Sequence, residues 1–336
     1  MRTAVHTSAL RRGLPAAVRL IHAARHRDRA RHRCRAAPRS PLASKPGALR
    51  KICTRALLRS VGSVIALALP TTAPASDPLV LASLYAPYQQ ILDAHLTEKR
   101  LDGGGLVSAF DYDAAMADPA VEDRLDEQSA SLANFDPEQL DDRAAATAFW
   151  VNAYNFFMLR HILENPIDGG VIDSVKDYGS FFNPYKVFSR EIFTVGGGNY
   201  SLDGIEKGIL LGDDYAERGW KDARVHFAVN CASVGCPPLR SSIYTVDNVD
   251  ALLEENTRRA LSTPYHLRRE GDTLMLTQLF EWYAADYRAE AESVRAWLLR
   301  FADDVTAEKI RGTDGIDYIE YDWRLNRPEN FAELAR

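Results

Sequence analysis

Apolar residues fill the chain almost without interruption from Ala144 to Leu163. A helix that is apolar on nearly every side is typical of a buried core element. Two amides, Asn152 and Asn155, interrupt the stretch three positions apart and therefore share one face of the helix. A buried amide without a partner costs about 1–3 kcal/mol. The pattern thus predicts a core helix with one polar face that must meet other polar groups.

Helical spacing of apolar positions predicts further helices over residues 77–100, 111–140, 203–211, 246–261 and 279–299. Pro87 predicts a kink in the first of these. Pro119 and Pro137 interrupt the second, whose few apolar positions predict a place on the protein surface. Asp203 and Glu206 have the spacing of a capping box, which predicts that the third helix begins there.

Short alternating or β-branched stretches predict strands over residues 191–195, 199–202, 224–231, 273–277 and 316–321. The first two flank Gly196 to Gly198 and predict a hairpin rather than a phosphate-binding loop. In the third, alternation would place His226 and Asn230 on one face and Cys231 on the other. Because helices outnumber these short strands, we expect an α+β fold, with a small, mostly antiparallel sheet packed by several helices in a single domain.

Charge divides the chain into two unlike parts. Residues 1–75 carry 16 Lys and Arg residues and a single acid, Asp28, whereas the remainder carries 25 basic and 45 acidic residues. So acidic a protein is a poor partner for nucleic acid or for an anionic membrane. We therefore expect neither as a binding partner.

Residues 47–75 have the three-part pattern of a secretory signal peptide. A basic flank precedes a short apolar run over residues 61–69, and Ala73-Pro74-Ala75 supplies the small residues of a cleavage site. The run is about half of the ~20 residues that a membrane span needs. We expect a periplasmic or secreted mature protein without a membrane span.

The basic extension over residues 1–46 is longer than an ordinary leader needs. We expect that translation starts downstream, near residues 45–55, with a long leader or a transit peptide as the alternatives. The expected mature protein is one globular domain over residues 76–336.

Cys231 and Cys236 remain in the expected mature chain, whereas Cys34 and Cys53 precede it. An even pair in an exported protein favours a disulfide. A free catalytic thiol and a redox-active pair stay open as alternatives.

Four motifs lie in a characteristic order: FWVNAYN at 149–155, DGIEKGIL at 203–210, VHFAVNCASVGCPPL at 225–239 and FEWYAADY at 280–287. Together they resemble the family called domain of unknown function 547 (DUF547), over roughly residues 85–300. The resemblance implies no established activity.

Polar residues on otherwise apolar elements are where sites are usually built. A thiolate activated by an oriented imidazole is one possible chemistry, with the catalytic candidates His226, Cys231, Cys236, Asn230 and Asp286. The candidates for ligand binding are Asn152, Asn155, Glu206, Trp282 and Tyr283. The histidines of the mature chain lack metal-ligand spacing, so we expect no metal and no cofactor.

These candidates predict a cleft lined by His226, Asn230, Asp286 and the amide face of the core helix. A closed hydrogen-bond network within the core is the alternative. Two functions follow. One is an exported hydrolase or acyl-transfer enzyme. The other is a non-catalytic domain with a structural disulfide that binds an unknown small molecule or protein.

The cleavage pattern predicts that the mature protein begins at Ser76. Mass spectrometry of the protein purified from its native host measures this start directly. A cytoplasmic product that still contains residues 50–75 would refute the prediction.

Overall fold

The computed structural model describes residues 78–334. The basic extension, the signal-peptide pattern and the expected start at Ser76 lie outside the described residues.

Helices form most of the regular structure in this range. In chain order they are α1 Pro78–Leu84, α2 Ala86–His95, α3 Tyr112–Ala117, α4 Pro119–Asn134, α5 Arg143–Glu164, α6 Lys186–Ser189, α7 Asp213–Glu217, α8 Val249–Leu261, α9 Leu279–Trp282, α10 Ala284–Glu290, α11 Val294–Phe301 and α12 Asp304–Arg311. Short 3-10 helices lie at residues 137–139, 175–178, 223–227 and 328–330, and a π-helix spans Gly204–Leu210.

The strands form three small sheets. Strands β1 (Leu96–Arg100) and β2 (Leu106–Phe110) pair antiparallel, as do β3 (Phe193–Val195) and β4 (Gly198–Tyr200). The third sheet has the order β5 (Leu267–Glu270), β6 (Thr273–Thr277), β7 (Gly315–Ile319), with β5 antiparallel and β7 parallel to β6. The predicted α+β class is confirmed, with the strands distributed over three sheets.

Helix α5 is the centre of the larger hydrophobic core, as its apolar pattern predicts. It buries nearly all of its side chains and contacts α1, α3, α8 and the π-helix. A second core lies around Trp297 and includes Phe227, Phe280 and Tyr287. No helix among residues 78–334 is long and apolar enough to cross a membrane.

Proline and glycine positions account for several element boundaries. The first predicted helix breaks at Tyr85, and Pro87 stands in the first turn of α2, where a proline is tolerated because the backbone N–H it lacks would have no partner within the helix. The predicted breaks at Pro119 and Pro137 and the predicted hairpin at Gly196 to Gly198 are confirmed.

The predicted strand over residues 224–231 is wrong. Residues Ala223–Phe227 form a 3-10 helix, which begins where the side chain of Asp222 accepts a hydrogen bond from the Arg224 amide at 2.9 Å. An irregular buried segment follows. Several of its backbone groups bond to side-chain amides, and residues 224–231 pair with no strand, so side chains do not alternate between two faces.

Three other predictions need correction. Residues 96–100 form β1 instead of continuing the first helix. The predicted helix 279–299 is divided into α9, α10 and the start of α11, which Ser293 caps. The predicted capping box is absent, because the side chain of Asp203 accepts no hydrogen bond from the first turn. The helix that follows it, Gly204–Leu210, is a π-helix.

Residues 321–326 form an extended segment that passes beside the loop 231–236, which we call the disulfide loop. Three backbone hydrogen bonds join them: Val234 N to Arg324 O (2.8 Å), Gly235 N to Asp322 O (2.9 Å) and Asn326 N to Ala232 O (3.1 Å). A late part of the chain therefore holds the disulfide loop in place.

Replacing Asp142 by Ala removes the side chain that caps α5, which accepts from the Ala145 amide at 2.9 Å. We expect a loss of about 1 kcal/mol in the free energy of unfolding. Urea denaturation measures it, with Asp141→Ala at the exposed neighbouring position as the control. Equal effects of both substitutions would contradict the cap.

Candidate functional site

His226 lies in the 3-10 helix Ala223–Phe227, between the two hydrophobic cores. Its side chain has no exposed surface, and carboxylates approach both ring nitrogens. The Nε2 atom lies 2.9 Å from Asp286 Oδ2, a hydrogen bond, and the Nδ1 atom lies 3.7 Å from Glu206 Oε1, an ion-pair distance. The π-helix carries Glu206 and α10 carries Asp286, so the imidazole joins three elements.

Charge on the imidazole follows from this geometry. Burial by itself would lower the pKa of His226, but the hydrogen bond to Asp286 and the charge of Glu206 outweigh it and raise that pKa. Burial acts against the charged form of both carboxyl groups as well, yet the imidazole lowers the pKa of each. The two carboxylates therefore favour the protonated form of the imidazole.

Lys221 extends this group to the protein surface. Its Nζ atom lies 2.8 Å from Asp286 Oδ1, and the two side chains are 30% and 19% exposed. Lys221 lies in an irregular segment, and nothing in its sequence neighbourhood indicates this contact. Asp286 thus accepts from the buried imidazole on one side and from a partly exposed ammonium on the other.

Tyr283 forms one wall of the imidazole site. Its ring stacks on His226 with centroids 4.0 Å apart, and Tyr287 lies tilted at 5.5 Å. Burial, followed by the charge of Glu206, raises the pKa of Tyr283. The phenol therefore stays protonated and can donate a hydrogen bond.

The predicted amides lie elsewhere and bind backbone. Asn155 donates to Ala228 O at 2.9 Å and accepts from the Asn230 amide at 2.7 Å. Asn230 donates to Pro237 O, and Asn152 pairs with both backbone groups of Tyr244. These three side chains hold irregular buried backbone in place and make no hydrogen bond to His226.

Cys231 and Cys236 form a disulfide, with Cα atoms 6.2 Å apart. The hydroxyl of Tyr321 lies 3.1 Å from each sulfur, and Ser233 Oγ lies 3.1 Å from Cys231 Sγ. The ring of Tyr321 packs closely on Gly235, because a Cβ atom there would lie 3.0 Å from three of its atoms. A surface groove of about 380 Å³ borders Gly235 and Tyr321.

An aromatic surface adjoins the disulfide loop. We call it the aromatic face, and its members are Tyr185, Trp282, Tyr321 and Trp323. Neighbouring rings lie 4.6–6.1 Å apart between centroids. All but Tyr321 are half-buried, so part of each ring faces solvent. Lys176 Nζ lies 4.8 Å above the Trp323 ring, a cation–π distance.

The candidates thus separate into three groups. Glu206, His226, Tyr283 and Asp286 meet at the imidazole, and Cys231 and Cys236 meet at the disulfide loop beside Trp282. The three amides bind backbone, including that of the segment leading to this loop. Sequence reasoning misses Lys221, Tyr321 and Trp323. Lys221 lies just before the motif of His226, whereas Tyr321 and Trp323 lie more than 80 residues after it.

No group of three His, Cys, Asp or Glu residues within 78–334 is arranged to hold a metal ion. Residues 137–260 match the model of a family described as "Protein of unknown function, DUF547". No curated protein and no solved structure matches the chain significantly.

The pH dependence of stability tests the charge on His226. Because its folded pKa is raised above the ordinary 6.5, its ion pairs stabilise the fold fully below that pH and are lost as the pH rises through the folded pKa. We expect the difference in unfolding free energy between wild type and His226→Gln to shrink as the pH rises above about 6.5.

His266 is a matched control of opposite sign. Burial lowers its pKa to about 4, so it destabilises the fold as the pH falls from 6.5 toward that value. His266→Gln should remove this acid-side loss and leave the alkaline side unchanged. Urea titrations across the pH range measure both effects. If wild type and His226→Gln lose the same stability as the pH rises above 6.5, the imidazole of His226 carries no stabilising charge.

Proposed function

We propose that this chain, whose residues 137–260 match the DUF547 family model, is an exported binding domain. Its ligand is a small molecule with a flat ring and an anionic group, held on the aromatic face beside Lys176. The observation that carries the proposal is the pair of half-buried tryptophans, Trp282 and Trp323, stacked at 26° with centroids 6.1 Å apart.

Partly exposed tryptophans supply large contact area at little cost in side-chain entropy, so they are frequent at binding surfaces. Lys176 adds a charge to this face. It forms no ion pair with any residue in the described range, and burial lowers its pKa despite the opposing charge of Glu320. An anionic group on the ligand would supply the partner that this ammonium lacks.

The rest of the site supports the aromatic face from behind. Trp282 and Tyr283 are consecutive, and Tyr283 stacks on His226, which Glu206 and Asp286 hold in place. On the other side, Tyr321 rests on the disulfide loop. In this proposal, the imidazole group and the disulfide position the rings, while Asn152, Asn155 and Asn230 hold the backbone between them.

A second candidate is hydrolysis or acyl transfer, with catalytic roles for His226, Cys231, Cys236, Asn230 and Asp286. The Asp286–His226 hydrogen bond favours it, because a carboxylate orients the imidazole in many nucleophilic enzymes. Against it stand the buried imidazole and the bonded sulfurs, which leave no free thiolate next to a base. The binding proposal requires neither exposure of the imidazole nor cleavage of the disulfide.

Export is part of the proposal. The signal-peptide pattern of residues 47–75 supports a periplasmic or secreted location, and a disulfide persists in such oxidising compartments. A small-molecule ligand is the proposed partner.

Binding of 8-anilinonaphthalene-1-sulfonate, a flat anionic probe, tests the aromatic face. We expect Trp282→Ala and Trp323→Ala each to weaken binding by roughly tenfold, since truncating a central aromatic contact commonly costs 1 kcal/mol or more. Dye fluorescence titration measures the dissociation constant. Lys176→Gln should weaken binding of the anionic dye but not of a neutral naphthalene.

Trp220→Ala is the matched control, because Trp220 is also half-buried and has a cation, Arg218, 4.8 Å above its ring. It should bind the dye as wild type does. Equal binding by all tryptophan variants would refute the binding proposal. Esterase or amidase activity that disappears in His226→Gln would favour the second candidate.

A further inference from the structure

We infer that Cys231 and Cys236 form a thiol–disulfide exchange site that accepts two electrons from a dithiol. The inference is independent of the aromatic-face proposal, since it rests on the surroundings of the two sulfurs. Three features carry it: unequal exposure of the two sulfurs, a backbone amide that donates to Cys236 Sγ, and the fixed, buried hydroxyl of Tyr321 within reach of both sulfurs.

The two sulfurs differ in access. Cys231 is half-buried and partly open to solvent, whereas Cys236 is only 8% exposed. Exchange begins when a thiolate attacks one sulfur and expels the other. An approaching thiolate therefore meets Cys231 first, and Cys236 is the leaving group.

Hydroxyl groups lie close to both sulfurs, since Tyr321 Oη and Ser233 Oγ are each 3.1 Å from Cys231 Sγ. The expected leaving group, Cys236, has a backbone amide donor in addition. The backbone amide of Cys231 donates to Cys236 Sγ at 2.9 Å, and the Tyr321 hydroxyl donates to the same sulfur at 3.1 Å. Ser233 Oγ in turn donates to the Tyr321 oxygen at 3.3 Å, which completes a chain of donors. Hydrogen bonds to a thiolate stabilise its charged form and make it a better leaving group.

The surroundings of Tyr321 keep it in this role. Burial raises the pKa of its hydroxyl, which therefore remains a donor. Its backbone amide is bonded to Gln278 Oε1 at 3.0 Å, and Gly235 leaves room for its ring. A disulfide that served only as a staple would need no such donor.

The exchange balances as follows. A thiolate of the dithiol attacks Cys231 Sγ, the Cys231–Cys236 bond breaks, and its electron pair goes to Cys236 Sγ. The second thiol of the dithiol, as a thiolate, then attacks the dithiol sulfur that is bonded to Cys231 Sγ. This closes the disulfide of the partner and releases Cys231 as a thiolate. The dithiol is oxidised to a disulfide, the cysteine pair is reduced, and two protons pass from the partner thiols to the two cysteines.

Single-turnover reduction by dithiothreitol tests the inference in the full chain carrying Cys34→Ser and Cys53→Ser, where no other cysteine remains. Alkylation and mass spectrometry follow the loss of the disulfide with time. We expect Tyr321→Phe to slow reduction about tenfold, since a worse leaving group slows exchange. Ser233→Ala should slow it less.

A matched control is Tyr178→Phe, which removes another half-buried hydroxyl, one that donates to Asn165 O at 3.0 Å. It should leave the rate unchanged. A second readout is the thiolate absorbance of the reduced protein against pH. One thiol should titrate below the ordinary value of about 8.5, and its pKa should rise in Tyr321→Phe.

The outcomes separate exchange from a structural disulfide. If Tyr321→Phe does not fold, the reduction rate and the thiol pKa of Ser233→Ala test the inference instead. Reduction at the parent rate in the variants, a thiol pKa at or above 8.5, or two freely alkylated cysteines without reductant would each overturn the inference. Reduction rates and dye affinities are separate readouts, and Tyr321→Phe keeps the aromatic ring, so failure of the exchange inference is distinguishable from failure of the binding proposal.

Discussion

The central constraint on this structure is a buried chain segment without regular secondary structure. Residues 228–239 lie almost entirely in the interior, yet they belong to no helix or strand. Every buried backbone amide and carbonyl must find a partner, and here side-chain amides supply several of them beside the backbone of residues 321–326. Asn155, Asn230 and Asn256 provide them, each reaching backbone groups of this segment or at its ends. The position of His226, of the disulfide loop and of Tyr321 depends on these bonds.

The second constraint is the charge next to this segment. A cation removed from water must have counter-charges close by, or it loses its proton. The π-helix brings Glu206 to one nitrogen of His226, and α10 brings Asp286 to the other. This pairing connects the core around α5 with the core around Trp297. It also fixes the ring of Tyr283, and with it the end of α9 that carries Trp282.

The sequence predicts those helices and hairpins that depend on the composition of their own residues. Helix α5 follows from its apolar composition, and the β3–β4 hairpin follows from its glycines. The strand predicted over residues 224–231 fails because the partners of that backbone are amides 70 or more residues away in some cases, such as Asn155 to Asn230 with a separation of 75. The spacing of apolar residues along the chain gives no information on such a distant contact.

The site shows the same division. Sequence reasoning names Glu206, His226 and Asp286, because polar residues on apolar elements stand out, and these three do meet. It also groups Asn152, Asn155 and Asn230 with them, since side-chain type cannot show whether an amide faces a cavity or a carbonyl. The contacts of Lys221 with Asp286 and of Tyr321 with the disulfide join residues 65 or more positions apart, and only the fold brings these pairs together.

The pairing of the disulfide loop with residues 321–326 has a consequence for the order of assembly. Synthesis proceeds from the N-terminus, and domains fold as units once their parts are available. Here the chain that bonds Ala232, Val234 and Gly235 follows them by about 90 residues. The hydroxyl of Tyr321 and the ring of Trp323 arrive with it. During synthesis, the two cysteines therefore leave the ribosome well before the segment that fixes their surroundings, and the finished environment of the sulfurs is a property of the completed chain only.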